Sequence, residues 1–130
     1  MSNADSDTVV LRACAELEVL FACFVMDCEI ADNAEFDQEA TPNAETVWLR
    51  ARNTLHQWRS ALRQVNQLAT DTRAGAAAKA RVFRQFVEYG LSTDEDVVAL
   101  VKGLTVDLAG LLKHDADCSC HNRSTALPTE

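Results

Sequence analysis

Apolar residues in the middle of the chain recur alternately four and three positions apart, which is the repeat of an α-helix that buries one face. The repeat runs through residues 44–69 without a proline or a glycine. Such a seam is typical of helices that pack antiparallel around a shared core, so its two tryptophans are predicted to be core residues. The seam consists of Ala44, Trp48, Ala51, Leu55, Trp58, Leu62, Val65 and Ala69.

A first helix is predicted ahead of this one. The cluster Asp5-Ser6-Asp7 supplies capping oxygens for its start, and the helix is expected to reach about Ala34. Thr41 before Pro42 then predicts the start of the second helix. The apolar stripe of the first helix consists of Val10, Cys14, Leu17, Phe21, Phe24 and Cys28, and it is widened by Val19, Leu20, Val25, Met26 and Ile30.

Two shorter helices are predicted after the second. The third begins near Thr72 and stops at Gly90. The fourth starts at a capping box formed by Ser92 and Glu95 and ends near Lys113. The predicted buried faces are Ala76, Ala80, Phe83, Val87 and Gly90 on the third helix, and Val97, Val101, Leu104, Leu108 and Leu111 on the fourth.

The scarcity of turn residues supports the same fold class. A chain of 130 residues with four glycines and two prolines favours a few long helices over many short strands. The sequence therefore predicts an all-α protein, an antiparallel four-helix bundle with two long and two shorter helices. Residues 1–114 are expected to form a single helical domain. Residues 115–130 lack periodicity and are predicted to be a disordered C-terminal tail.

Charge is distributed unevenly along the chain. The net charge of −8 argues against nucleic acid and anionic membrane as partners, because both need cations at the contact. Residues 50–84 hold eight basic groups and one acid, a balance of +7, whereas the other residues hold four basic groups and nineteen acids, a balance of −15. Basic helices are expected to pair with the acidic first helix within the fold, and a displayed basic patch is the alternative.

The cysteines indicate a reducing compartment. Five cysteines are an odd number, and no secretory signal precedes them, so a cytoplasmic location is predicted. Cys14, Cys23 and Cys28 fall within the first helix and are predicted to pack as small hydrophobic residues. The longest apolar run, residues 19–26, is far shorter than a membrane span.

One short string resembles a pattern in small, mostly uncharacterised helical proteins of Proteobacteria. The string is Ala69-Thr70-Asp71-Thr72-Arg73-Ala74-Gly75, followed by Lys79-Ala80. The resemblance covers about twenty residues around one helix start and is mostly capping chemistry. It implies a bacterial cytoplasmic origin and no activity.

His56 is the residue with the clearest chemical hypothesis. It lies on one edge of the second helix with Arg52, Arg59 and Arg63. The string from His56 to Leu62 resembles the phosphoacceptor helix of bacterial histidine phosphotransfer domains and kinase dimerisation helices. That resemblance implies a phosphoacceptor at His56, with the arginines steadying the phosphoryl charge. A plain surface histidine is the alternative.

The C-terminal segment offers a second hypothesis. His114, Cys118, Cys120 and His121 supply two imidazoles and two thiolates, which are donors that zinc and copper prefer. Their spacing matches no standard structural zinc pattern, so incidental tail residues are the alternative.

No catalytic constellation and no cofactor-binding motif is present, and the sequence predicts a non-enzymatic protein. The expected function is that of a helical protein–protein interaction module. The apolar arc of the first helix is broad, and one small bundle is not expected to cover all of it. The predicted partner is another protein or a second copy of the chain, as in a homodimer.

Overall fold

In a computed structural model, the chain folds into four α-helices: α1 (Asn3–Phe36), α2 (Thr41–Asn66), α3 (Arg73–Glu88) and α4 (Glu95–Ala126). The structure describes the backbone of residues 3–36 and 41–126, and the side chains of residues 7–34 and 45–114. These residues contain no strand. The predicted all-α class is confirmed.

The helices pack as a four-helix bundle, as predicted. The prediction of two long and two shorter helices is wrong, because α4 has 32 residues and only α3, with 16, is short among the four described helices. α1 packs along α2 and α3 packs along α4, and each of these pairs is an antiparallel hairpin. The hairpins meet where α3 contacts α1 and α4 contacts α2, so that within the described residues α1 and α4 are diagonal to each other. This arrangement encloses one core and leaves one flank of every helix facing outward.

The core is centred on three aromatic rings. Trp58 of α2 meets Phe21 of α1 edge-on, with ring centroids 5.4 Å apart. Phe86 of α3 lies 4.7 Å from Phe21 and 5.4 Å from Trp58. All three side chains are buried, and Val97 and Leu100 of α4 belong to the same cluster. The second-helix seam is therefore confirmed at its centre.

The ends of α3 are confirmed as the sequence predicts them. The Thr72 hydroxyl oxygen accepts a hydrogen bond of 3.0 Å from the backbone N–H of Gly75, which makes Thr72 the N-cap. The helix ends at Glu88 with Tyr89 as its C-cap, and Gly90 follows with a φ of 86°, a left-handed conformation that glycine adopts without strain. Thr72 also donates its hydroxyl hydrogen to the Asp7 carboxylate of α1.

The predicted start of α1 is wrong. The helix begins at Asn3, so Asp7 lies inside it and is not a cap. The Asp7 side chain instead accepts the Thr72 hydroxyl at the start of α3 and so joins the N-terminal parts of the two helices.

Both predicted ends of α4 need correction. The helix starts at Glu95, and the cap is Asp94, whose carboxylate accepts the backbone N–H of Asp96 at 2.9 Å and of Val97 at 3.3 Å. Ser92 is two residues too early to do this. The helix also continues to Ala126 rather than ending near residue 113. No glycine or proline interrupts residues 111–127, so nothing local stops the helix there. The division into a domain of residues 1–114 and a tail of 115–130 stays a prediction.

The buried faces of α3 and α4 are partly rotated from the predicted ones, although Ala76, Val97 and Leu104 are buried as predicted. On α3, Lys79, Val82 and Phe86 point inward, whereas Ala80 and Val87 are exposed. On α4, Leu100 is buried and Leu108 is 43% exposed. On α3 the rotation is possible because Lys79 reaches an acidic partner inside the bundle and so can occupy a core position.

Trp48 is not a core residue, contrary to prediction. Its side chain is 37% exposed, whereas Trp58 on the same seam is 1% exposed. α3 ends and α4 begins beside Phe21 and Arg59, so the outer parts of α1 and α2 have no third helix against them. The apolar seam of α2 therefore extends beyond the part of the bundle in which all four helices pack together, and Trp48 lies in that extension.

Candidate functional site

His56 is exposed, as a phosphoacceptor must be. Its ring borders a shallow cleft with Glu16 and Leu20 of α1 and Ser60 of its own helix. The predicted arginine stripe does not surround it. Arg59 and Arg63 turn toward the start of α4, where both bind Asp96. The phosphotransfer hypothesis stays a prediction, with two of its three proposed cations engaged elsewhere.

Arg59 is the centre of an ion-pair cluster between α2 and α4. It donates to the Asp94 carboxylate at 2.8 Å and to Asp96 at 2.6 Å, and its guanidinium lies 5.0 Å from the centre of the Trp58 ring. The hydrogen bond from Arg59 holds the pKa of Asp94 below its usual value, with help from the backbone N–H of Val97. The cluster joins the two helices at the edge of the core.

We expect Asp94→Asn to lower the free energy of unfolding by about 1–2 kcal/mol at pH 7, because asparagine keeps the cap but loses the charge. The folded-state pKa of Asp94 is depressed, so its contribution is present above the unfolded pKa of about 3.9 and is lost as the pH falls through the folded value. Urea unfolding from pH 7 to pH 3 should show the difference from wild type shrinking below pH 4. An equal difference at both ends of the range contradicts this assignment.

Other ion pairs use up much of the basic charge of residues 50–84. Arg81 binds Glu18 of α1 at 2.7 Å, and Lys79 binds Asp107 of α4 at 2.8 Å. Together with the Arg59 cluster, more of the described ion pairs have their acidic partner on α4 than on α1. The expected pairing within the fold is therefore present, but its main acidic partner is the fourth helix rather than the first.

The predicted metal ligands are not brought together in the described part of the chain. His114 is exposed and is the last described side chain of α4, and the side chains of Cys118, Cys120 and His121 lie outside the described residues. Among the described side chains, no group of three or more His, Cys, Asp or Glu is placed to hold a metal ion. Metal binding by the C-terminal segment stays a prediction.

The three cysteines of α1 differ in environment. Cys14 is buried, as predicted, and Cys28 is half-buried, whereas Cys23 is exposed and is not the core residue predicted. Burial, Asp32 and Asp27 raise the pKa of the Cys28 thiol, which disfavours the reactive thiolate.

The outward face of α1 is apolar. Val19 is 62% exposed, Met26 61% and Ile30 42%, and the exposed Cys23 lies between the first two. These four residues, here called the α1 ridge, are spaced four, three and four apart and form one continuous stripe. The opposite face of the same helix lies in the bundle core. The sequence indicated this excess of apolar residues, and Leu20 and Val25 from the same set are half-buried.

Acidic side chains border the ridge on both sides. Glu16 and Asp27 lie along one side and Glu29 along the other, and Glu16 and Glu29 are exposed. A surface with an apolar centre and an acidic rim selects a partner whose apolar contact is bordered by cations.

A second outward surface lies between α3 and α4. Ala76, Ala77 and Ala80 of α3 face Leu108 and Leu112 of α4 across a groove of about 300 Å³, with Arg73 at one end. Leu112 is 69% exposed. The sequence did not predict this groove, because Ala80 and Leu108, which are exposed, were assigned to buried faces; Ala76 is buried as predicted. Arg73, Ala77, Ala80 and Arg84 are spaced four, three and four apart and share one face of α3, and the two arginines are the sequence signal that this face is exposed.

Within the described residues, none of the four helices contains an apolar stretch of the length that a membrane span requires. Comparison with family models, curated proteins and solved structures gives no match to this chain.

Proposed function

We propose that this protein is a non-enzymatic protein-binding module and that its binding surface is the α1 ridge. The observation that carries the proposal is the exposure of Val19, Met26 and Ile30 on a helix whose other face already lies in the core. A helix that is apolar all round is normally buried on every side. On α1 the second apolar face has nothing against it in the described structure, so a partner is the expected cover.

The energetics fit a protein partner. Full burial of a side chain such as Val, Ile or Met contributes about 1.5–3 kcal/mol, and the ridge residues are roughly half exposed, so covering them contributes roughly 3 kcal/mol in total. Micromolar affinity needs about 8 kcal/mol beyond the cost of association. The ridge alone is therefore too small to give micromolar binding. It supplies the centre of a contact that also includes its acidic borders, so the partner must present a surface about as long as the helix.

The test is affinity capture from a lysate of the native cells with three forms of the protein. These are the wild type, the ridge variant Met26→Glu/Ile30→Glu, and the control Leu49→Glu. Leu49 is 56% exposed on α2 and lies off the ridge, so its replacement matches the change in polarity. We expect the ridge variant to lose at least tenfold of a bound protein that the wild type and the control both retain. Equal capture by all three forms contradicts the proposal.

A further inference from the structure

Two outward surfaces of the chain match each other in spacing. The α1 ridge consists of Val19, Cys23, Met26 and Ile30. The α3 stripe consists of Arg73, Ala77, Ala80 and Arg84. Both sets follow the spacing four, three, four, so both form a straight stripe of about three turns along one helix face. Two such stripes can pack side by side over their full length.

The two surfaces also match in size. The ridge presents long or branched side chains, Val19, Met26 and Ile30, that stand out from α1. The α3 stripe presents only alanines between its arginines, and beside it runs the groove whose far wall is Leu108 and Leu112. Small residues allow a close approach of another helix, and large residues from that helix fill the space between α3 and α4.

Their charges are opposite. Glu16, Asp27 and Glu29 border the ridge, whereas Arg73 and Arg84 stand at the two ends of the α3 stripe and no acid interrupts it. Arg84 is exposed and its pairing with Glu88 is also exposed, so this ion pair exchanges at little cost. Arg84 at one end of the α3 stripe would then meet an acidic border of the ridge.

The two surfaces cannot meet within one chain. Arg81 and Glu18 hold α3 beside α1, and Phe86 packs against Phe21 between them. The ridge and the α3 stripe both face away from that contact. Pairing of two ridges is disfavoured because it would bring acidic borders together. The complementary surface is therefore on another molecule of the same chain.

We infer that the α1 ridge of one copy docks in the α3–α4 groove of a second copy, so that the protein self-associates head to tail. This inference rests on the proposed function and names the partner of the same ridge. A contact between two different surfaces is heterologous, so a dimer formed in this way retains one unused ridge and one unused groove, to which further copies can add unless the assembly closes.

The experiment uses two complementary variants of the full chain. The ridge variant is Met26→Glu/Ile30→Glu, and the groove variant is Ala77→Glu/Ala80→Glu; all four positions are exposed, and glutamate is a good helix former. Molar mass is measured by light scattering across a concentration series, with circular dichroism to show that each variant stays folded. Leu49→Glu is the control.

We expect the wild type and Leu49→Glu to exceed the monomer mass of 14.3 kDa as concentration rises. Each double variant alone should stay at that mass. The equimolar mixture should regain a one-to-one dimer, because the intact groove of one variant accepts the intact ridge of the other. A groove variant that still associates by itself, or a mixture that stays monomeric, overturns the inference. A wild type that is monomeric throughout, but captures a different protein through the ridge, overturns it and leaves the proposed function standing.

Discussion

Replacement of Asp107 by alanine is expected to lower the free energy of unfolding by about 3–5 kcal/mol, because it leaves a buried ammonium group without its anion. The Lys79 side chain is 3% exposed, and its Nζ lies 2.8 Å from Oδ2 of Asp107, which is 6% exposed. Nζ also donates to the carbonyl oxygen of Leu68, just past the end of α2. One amine thus connects α3, α4 and the end of α2.

Loss of one partner of this ion pair should destabilise the protein much more than loss of both partners. Lys79→Met/Asp107→Leu removes both charges and should recover most of the loss, since apolar residues of similar size often replace a buried ion pair without cost. Arg84→Ala, which breaks an exposed pair, should change stability by about 0.5 kcal/mol or less. The measurement is urea unfolding at pH 7 followed by circular dichroism. If the double replacement is as unstable as Asp107→Ala, the charge of Lys79 is not the cause.

The second large effect is expected at Trp58. Its replacement by alanine should cost about 3–5 kcal/mol, because the ring is 1% exposed and contacts Phe21 and Phe86 at the centre of the core. Trp58→Phe should cost less. It keeps an aromatic ring and removes an indole N–H that has no hydrogen-bond acceptor among the described residues.

Trp48 provides the matched control for Trp58. It belongs to the same seam of the same helix but is 37% exposed, so Trp48→Ala should cost about 1 kcal/mol. Urea unfolding measures both variants. Fluorescence gives an independent check, since a single-tryptophan form retaining Trp58 should emit at a shorter wavelength than one retaining Trp48. Equal costs for the two alanine variants would show that the core extends to the end of the hairpin.

The two candidate surfaces differ in how far the sequence predicted them. The α1 ridge was foreseen, because α1 carries more apolar side chains than one bundle face can use. The groove was not, because the alanines of α3 fit a buried face as well as an exposed one. His56 was correctly expected at the surface, but the direction of Arg59 and Arg63 depends on Asp94 and Asp96, which are distant in sequence.

By itself the sequence determined the helical class, the seam of α2 and the caps of α3. These features depend on local backbone chemistry: the periodicity of apolar residues, the Thr72 hydroxyl at a helix start and the conformational freedom of Gly90. Only the tertiary structure decided which residues of each apolar pattern are buried. A buried Lys79 requires Asp107, 28 residues away, and the different fates of Trp48 and Trp58 depend on where α3 ends and α4 begins. Burial depends on neighbours from elsewhere in the chain, which a local pattern does not specify.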